Sequence, residues 1–238
     1  MPTLFFALYL VFLSLTVEAT SSVFYNKQSQ QQARLGRGAA FYFNYCSGCH
    51  ALGYLRYEHA ARLLGLSSTK AKRGEAGLVN GQTFSQAQSS YDPVLTSMPT
   101  EDAKIWFGMV PPDLSLIARV KGADWLLAYL KSFYPDSSRP FGSNNKLQIN
   151  TAMPNVLAPL RRDQKSTLQP KSSLLFNQEG TLDLEAYDEA LEDLVTFLVY
   201  VAEPARELRI AIGAYVIFFL LFFLVIAYQL KQSYKRLD

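Results

Sequence analysis

Five consecutive residues, Cys46-Ser47-Gly48-Cys49-His50, contain both cysteines and one of the two histidines of this 238-residue chain. Their Cys-x-x-Cys-His spacing is the one that attaches a c-type haem. Two thiols three positions apart can each reach one vinyl group of a single porphyrin, and the adjacent imidazole is then placed beneath the iron as an axial ligand. Rival chemistries fit less well. A thioredoxin-like pair belongs at a helix start inside a βαβ pattern, and nothing of that kind surrounds Cys46. A structural zinc site needs four ligands, and beyond these three only His59 or a carboxylate is at hand. A disulfide between the two cysteines would close a very small, strained ring and leave His50 without a role.

A porphyrin that only shuttles electrons needs both axial positions filled, because an open one admits oxygen and other small ligands. Besides Met1, the candidates for the second position are Met98, Met109, Met153 and His59. His59 follows His50 too closely to reach the opposite porphyrin face easily and reads as a packed or surface histidine. Met109, beside Pro111-Pro112, is adequately explained as a core residue. Met98-Pro99 and Met153-Pro154 are locally alike, each a loop methionine pushed toward extended backbone by the following proline. Local sequence leaves both open. Chain separation favours Met153, since the intervening helices can form one wall before the chain crosses to the other face. Thioether ligation raises the potential relative to two histidines.

The elements that must position these groups follow from periodicity. A hydrophobic fraction of 49% in 238 residues suits one medium cofactor domain with extras. The net charge of +3, without a dense Lys/Arg run interleaved with aromatics, gives nucleic-acid binding no support. Leu35, Ala39, Tyr42 and Phe43 share one face of a helix predicted over 28–45, and Gly36 and Gly38 would let another helix approach it closely. After the motif, Leu52, Tyr54, Leu55 and Tyr57 offer apolar cover, with His59 in a helical continuation. Residues 70–97 read as a loop. Thr100 opens a helix that Pro111-Pro112 stops. Asp113 is expected to cap a helix carrying Leu114, Ile117 and Ala118, and a second short helix runs from Trp125 to Tyr134. Arg139 to Asn145 is turn chemistry, and the stretch from Met153 to Pro170 is irregular. Leu184, Tyr187, Leu191, Leu194, Val195 and Leu198 mark one buried helix face. Asp183, Glu185, Asp188 and Glu189 at that helix's start read as complements of its positive end, in preference to a docking patch for a basic partner.

The two ends imply a membrane. Leu4 to Leu15 is apolar and Val17-Glu18-Ala19 ends on the small residue a signal peptidase prefers, so 1–19 reads as an export signal, although its start lacks the usual positive charge. Ile210 to Leu230 runs about 21 residues without a charge and spans ~31 Å, enough for the hydrocarbon core. Tyr215 and Tyr228 lie near its interfaces, Lys231, Lys235 and Arg236 follow it on the side expected to stay cytoplasmic, and Pro204 bends the chain before it. The domain plan is an export signal over 1–19, an extracytoplasmic haem domain over 20–206, an anchor over 207–230 and a short cytoplasmic tail over 231–238.

With these residues assembled, the chain resembles the cytochrome c1 family, the haem-bearing subunit of ubiquinol-cytochrome c oxidoreductase. The likeness rests on Asn44-Tyr45 with the haem motif, on Trp106-Phe107-Gly108 leading to Pro111-Pro112-Asp113-Leu114-Ser115, on Met153-Pro154, and on Leu198-Val199-Tyr200-Val201-Ala202-Glu203-Pro204-Ala205-Arg206 before the final span. The resemblance implies a mainly α, class I-like c-type cytochrome domain with loop insertions and one C-terminal transmembrane helix. It implies one covalently bound haem c, with thioethers at Cys46 and Cys49, iron ligands at His50 and Met153, and the loop of Pro111, Pro112 and Leu114 lying against the ring. Arg119 or Lys121, with Trp125, is implicated near the propionates, where a cation offsets the desolvation of a carboxylate. The chain departs from the family pattern at Ala152, where glycine is frequent, and at Asn155, where histidine often follows Met-Pro; neither change removes a ligand.

The same resemblance implies a single-pass protein of a bacterial-type inner membrane, with its haem domain on the periplasmic face and its C-terminus in the cytoplasm. Its partners would be cytochrome b, a Rieske iron-sulfur protein as donor, a cytochrome c as acceptor, and the lipid bilayer. As a subunit of a quinol-cytochrome c reductase it needs no acid-base or nucleophilic catalysis of its own. A membrane-anchored monohaem cytochrome serving another reductase or terminal oxidase is the nearest alternative. An exported non-haem metal-binding protein is a remoter one.

Overall fold

A computed structural model describes residues 29–65, 91–161 and 182–235. The predicted export signal, most of the predicted 70–97 loop and the stretch beyond residue 161 expected to be irregular therefore lie outside the described residues. The architecture is mainly helical. Helix α1 covers 29–45 and runs directly into the Cys-x-x-Cys-His turn. Strand β1 (Leu52–Arg56) and helix α2 (Tyr57–Leu63) follow, then β2 (Pro93–Val94) and α3 (Thr100–Phe107). Two short helices, α4 (Ile117–Lys121) and α5 (Ala123–Lys131), precede a small hairpin of β3 (Phe133–Pro135) and β4 (Ser143–Asn145). A 3-10 turn at Ala158–Leu160 leads toward the long helix α6 (Leu184–Ala202).

Several expectations need correction. The chain after His50 enters a strand before it becomes helical, because β2, formed by two residues of the 70–97 loop, pairs with it antiparallel from Leu52↔Val94 to Arg56↔Pro93, with an irregularity between. Helix α3 ends at Gly108, which takes φ 73°, ahead of the two prolines. Asp113 caps no helix. Its carboxylate Oδ1 accepts the Ser115 N–H two residues on, at 2.7 Å, which is a local turn, and α4 starts only at Ile117. The helix predicted to reach Tyr134 stops at Lys131, since Phe133 and Tyr134 pair instead with Asn145 and Asn144.

The core lies where α1 crosses α6. Leu35, Ala39, Tyr42 and Phe43 of α1 join Leu194, Val195, Phe197, Leu198, Val201 and Ala202 of α6, with Leu52, Leu55, Ala60 and Val94 from the first half of the domain. Tyr42 and Phe197 are fully buried and lie 5.8 Å apart, ring centroid to ring centroid. A second cluster of Leu157, Tyr187 and Leu191, packed by Phe41, Tyr45, Leu127 and Leu130, ties the chain just after Met153 to the same two helices and to α5. Leu184, predicted on the buried face, is exposed. Its neighbour Asp183 caps the helix, accepting the Ala186 N–H at 2.8 Å.

The α1–α6 crossing is close enough to exclude a methyl group. A Cβ at Gly38 would stand 2.0 Å from the Asp193 carbonyl oxygen and 2.8 Å from Phe197 Cβ. Asp193, 1% exposed, lies at that crossing and accepts Arg34 Nε at 2.8 Å and Arg37 Nε at 2.5 Å. Glu189 and Glu192 take the outer nitrogens of Arg37 and Arg34, and Asp188 meets Lys131 at 3.0 Å. Three of the four acids at the start of α6 are thus engaged within the domain itself, Asp183 as the cap and Asp188 and Glu189 in ion pairs.

The C-terminal unit is a single helix, α7 (Arg206–Lys235), of 30 residues and about 45 Å. It is long and apolar enough to cross a membrane, and α6 ends before it at Ala202, with Pro204 in the turn between the two. Substituting Gly38→Ala must push α1 and α6 apart and is expected to cost about 2–3 kcal/mol. Gly36→Ala meets only the Leu63 carbonyl oxygen, at 3.0 Å, and should cost less. Thermal melting of the purified, detergent-solubilised protein compares the two; equal melting points would contradict the packing described.

Candidate functional site

The last turn of α1 tightens into the motif. The Cys46 and Ser47 N–H groups both donate to the Tyr42 carbonyl, and the Cys49 and His50 N–H groups both donate to the Cys46 carbonyl at 3.0 and 2.9 Å. This doubled turn sets the two thiols three residues apart, both free and half-buried. Burial pushes the Cys46 thiol up to about 12, helped by Cys49 nearby, and pushes Cys49 up as well. Both sulfurs are therefore held as thiols, the form that adds across a vinyl group. The turn is held from outside by Thr96 and Ser97, whose hydroxyls donate to the Gly48 carbonyl at 3.0 and 3.3 Å.

His50 is fixed on both sides. Its carbonyl accepts the Tyr42 hydroxyl at 2.8 Å, and burial holds that phenol far above its ordinary range, so it stays a donor. Its ring Nδ1 lies 2.7 Å from the Pro112 carbonyl oxygen. A carbonyl only accepts, so Nδ1 carries the proton and Nε2 carries the lone pair. Burial lowers the His50 pKa, which keeps the imidazole neutral at pH 7. A neutral imidazole whose second nitrogen donates to a backbone carbonyl is the arrangement of a metal-bound histidine.

The Pro112 loop is itself pinned to the strand after the motif. The Leu114 N–H donates to the Ala51 carbonyl at 2.9 Å, Asp113 Oδ2 accepts the Gly53 N–H at 2.8 Å, and the Tyr54 N–H donates to the buried Ser115 hydroxyl. Of the predicted residues, Pro112 thus touches His50 directly, and Leu114 is half-buried against the main core, with Pro111 beginning the loop. Sequence reasoning missed Tyr42, Asp113 and Ser115 as supports. The Pro-Pro-Asp-Leu-Ser run signalled the loop, but only the folded chain shows which amides its carboxylate meets.

Met153 lies on the other polar scaffold. The fully buried Asn145 donates to the Tyr129 carbonyl and accepts the Leu147 and Gln148 N–H groups, while Asn144 Oδ1 accepts the Asn145 and Asn150 N–H groups. Asn150 adopts φ 64°, and Arg139 donates to both its side-chain and main-chain oxygens at 3.2 Å. The Asn155 N–H donates to Ser143 Oγ at 3.1 Å. The Met153 sulfur, half-buried, faces the Tyr129 hydroxyl at 3.7 Å. Trp125 stacks on Tyr129 and Lys121 Nζ sits 4.9 Å over the Trp125 ring, so these two predicted residues join Met153 through one chain of contacts; Arg119 is exposed. Met98, the rival methionine, belongs to the loop that braces the attachment turn, its N–H donating to Thr96 Oγ1. His59 is occupied structurally, 2.8 Å from the Tyr200 hydroxyl.

This donor set fits a c-type haem: two free thiols on one turn, a neutral histidine with its tautomer fixed, and a thioether on a braced loop. Leu95, next to Thr96 in the chain, and Met109 and Val110, just before the Pro112 loop, are exposed apolar side chains. Among the described residues, no trio of His, Cys, Asp and Glu side chains is arranged to hold a metal ion by itself. Comparison with known proteins agrees. The family model described as the cytochrome C1 family matches residues 22–237. The chain belongs to the cytochrome c1 family. A cytochrome c1 of Allochromatium vinosum is 38% identical over 89% of this chain and 87% of its own length. A mitochondrial cytochrome c1 haem protein of Arabidopsis thaliana is 28% identical over 88% of this chain and 67% of its own. A protein of Nitrosomonas europaea named as an ammonia monooxygenase gamma subunit is 37% identical over 85% of this chain and 82% of its own length. Cytochrome c1 is a haem-bearing electron-transfer subunit of the bc1 oxidoreductase, and this chain accordingly carries covalent haem c and, among the described residues, one apolar helix suited to a membrane anchor.

Replacing Asp113 by Ala leaves the Gly53 and Ser115 amides without their acceptor. Hydrogen exchange at both amides is expected to speed up about tenfold or more, while amides of α6 stay protected. Unchanged exchange at Gly53 would contradict the clamp.

Proposed function

We propose that this member of the cytochrome c1 family takes one electron at a time from a Rieske iron-sulfur protein and passes it to a cytochrome c, seated beside cytochrome b in a quinol-cytochrome c reductase. The observation that carries the reading is the neutral His50 imidazole, locked on the Pro112 carbonyl directly after two free thiols. Cys46 and Cys49 would form the thioethers, and His50 Nε2 and the Met153 sulfur would hold the iron. When bound, the haem supplies reversible one-electron chemistry at its iron. The chain's own work is positional. The Tyr42 hydroxyl and the Pro112 carbonyl hold His50 at its two ends, Leu114 packs on the core after the prolines, and the asparagine-rich loop holds Met153. Lys121, held over Trp125, or Arg119 would be the cation for the propionates, where positive charge favours the ionised carboxylates.

The domain plan follows the same reading. Residues 1–19 are a removable export signal, 20–206 stand on the periplasmic face of a bacterial-type inner membrane, 207–230 form the anchor, and 231–238, with Lys231, Lys235 and Arg236, stay in the cytoplasm. No residue acts as an acid, base or nucleophile, since quinol chemistry belongs to the partner subunits. A second reading is favoured by one observation, the relative named for ammonia monooxygenase: a membrane-anchored cytochrome of this family delivering electrons to or from another oxidoreductase.

Two experiments test these readings. Met153→Leu is expected to keep covalent haem but lower its midpoint potential sharply, whereas Met98→Leu leaves the potential unchanged; potentiometric titration decides, and a Met153→Leu protein with wild-type potential would remove Met153 as a ligand. Purification from native membranes in mild detergent should bring cytochrome b and a Rieske protein along with this chain. Recovery with a different oxidoreductase in their place would establish the second reading.

A further inference from the structure

Tyr129 is held more tightly than a surface tyrosine needs to be. Its ring stacks on Trp125 at 5.0 Å with 13° between the planes, and meets Phe133 edge-on at 5.3 Å. Its own carbonyl is fixed by the buried Asn145. The hydroxyl at the end of this wedged ring lies 2.9 Å from Thr151 Oγ1 and 3.7 Å from Met153 Sδ. The Met153 N–H in turn reaches back to Thr151 Oγ1 at 3.4 Å.

One order of donation satisfies every group in this set. Thr151 Oγ1 accepts the Met153 N–H and donates its own proton to Tyr129 Oη; the Tyr129 proton is then left for the sulfur. The result is a closed ring that starts at the Met153 backbone and ends at the Met153 side chain. Within it Thr151, 8% exposed, lies away from competing water, and a hydroxyl that receives one hydrogen bond donates a stronger one.

We propose that Tyr129 is a positioning residue that sets the potential of the haem through the Met153 sulfur, with Thr151 aiming it. The proposal rests on Met153 being an iron ligand. A proton directed at a thioether draws density from the sulfur, weakens its donation to the iron and disfavours the oxidised state more than the reduced one, so the hydroxyl raises the midpoint potential. It also fixes which lone pair of the sulfur is left for the metal.

The test uses the haem-loaded, full-length protein in detergent, with potentiometric titration and the long-wavelength sulfur-to-iron charge-transfer band of the oxidised form as readouts. Tyr129→Phe keeps the ring stack and is expected to lower the potential and shift the band without abolishing it. Thr151→Val should shift the potential in the same direction by less, and the double variant should go no lower than Tyr129→Phe alone, because the two act through one bond. Wild-type potential and band in Tyr129→Phe, alongside loss of the band in Met153→Leu, would overturn the proposal while leaving the ligand assignment standing. Retention of the band in Met153→Leu would instead overturn the ligand assignment and the proposal with it. Should Tyr129→Phe fail to load haem, a wild-type potential in Thr151→Val overturns the proposal equally.

Discussion

The site depends on one contact between backbones, the approach of α1 to α6 at Gly38. Because no side chain intervenes there, the two helices lock at a fixed height along one another, and everything mounted at the end of α1 inherits that height. The Cys-x-x-Cys-His turn begins two helical turns further on, with Tyr42 buried between the crossing and His50. Asp193 reinforces the lock. A carboxylate so deeply buried would be costly alone, but two guanidinium groups share it from α1, and their outer faces remain in water. The pairing therefore fixes register more than it adds stability, since both arginines are half exposed and screened.

The surroundings of His50 and of Met153 are built by opposite means. The histidine side is an extension of a helix, stiffened by intrahelical and strand-like hydrogen bonds, and its precision comes from the hydrophobic core behind it. The methionine side has almost no regular structure. It is a loop whose backbone groups are satisfied by the side chains of Ser143, Asn144, Asn145 and Thr151, all buried. Buried amides aimed at backbone donors replace the ladder a sheet would have provided. Leu157, in the second apolar cluster, then closes the loop against α5 and α6.

How much of this was legible in the sequence depended on the range of the interaction. The haem motif, the helix faces of α1 and α6 and the apolar C-terminal helix were readable because each is a local pattern of spacing. Gly38 was recognisable as a place of close approach, though its partner was not. Asp193 was invisible: an acid inside an apolar helix face reads as an exception, and only the arrival of Arg34 and Arg37 from far away in the chain explains it. The same holds for Asn144 and Asn145, which look like ordinary turn residues and prove to be the buried scaffold of the loop. Asp113 was assigned the right kind of task and the wrong element, because a carboxylate that accepts the N–H two residues on looks in sequence like a helix cap. The short strands failed for the reason that two- and three-residue strands carry too little alternation to detect.

Arg34 and Asp193 are 159 positions apart, so the lock joins the first described helix to the last helix before the anchor. Such a contact carries a large loop-closure cost, and in a chain synthesised from its N-terminus it cannot form until nearly the whole domain exists. Until then the cysteine turn has neither its core nor its height. Topology thereby separates the two in the chain: the thiols lie in its first quarter, while the α6 side chains that back Tyr42 behind them come from the far end of the domain.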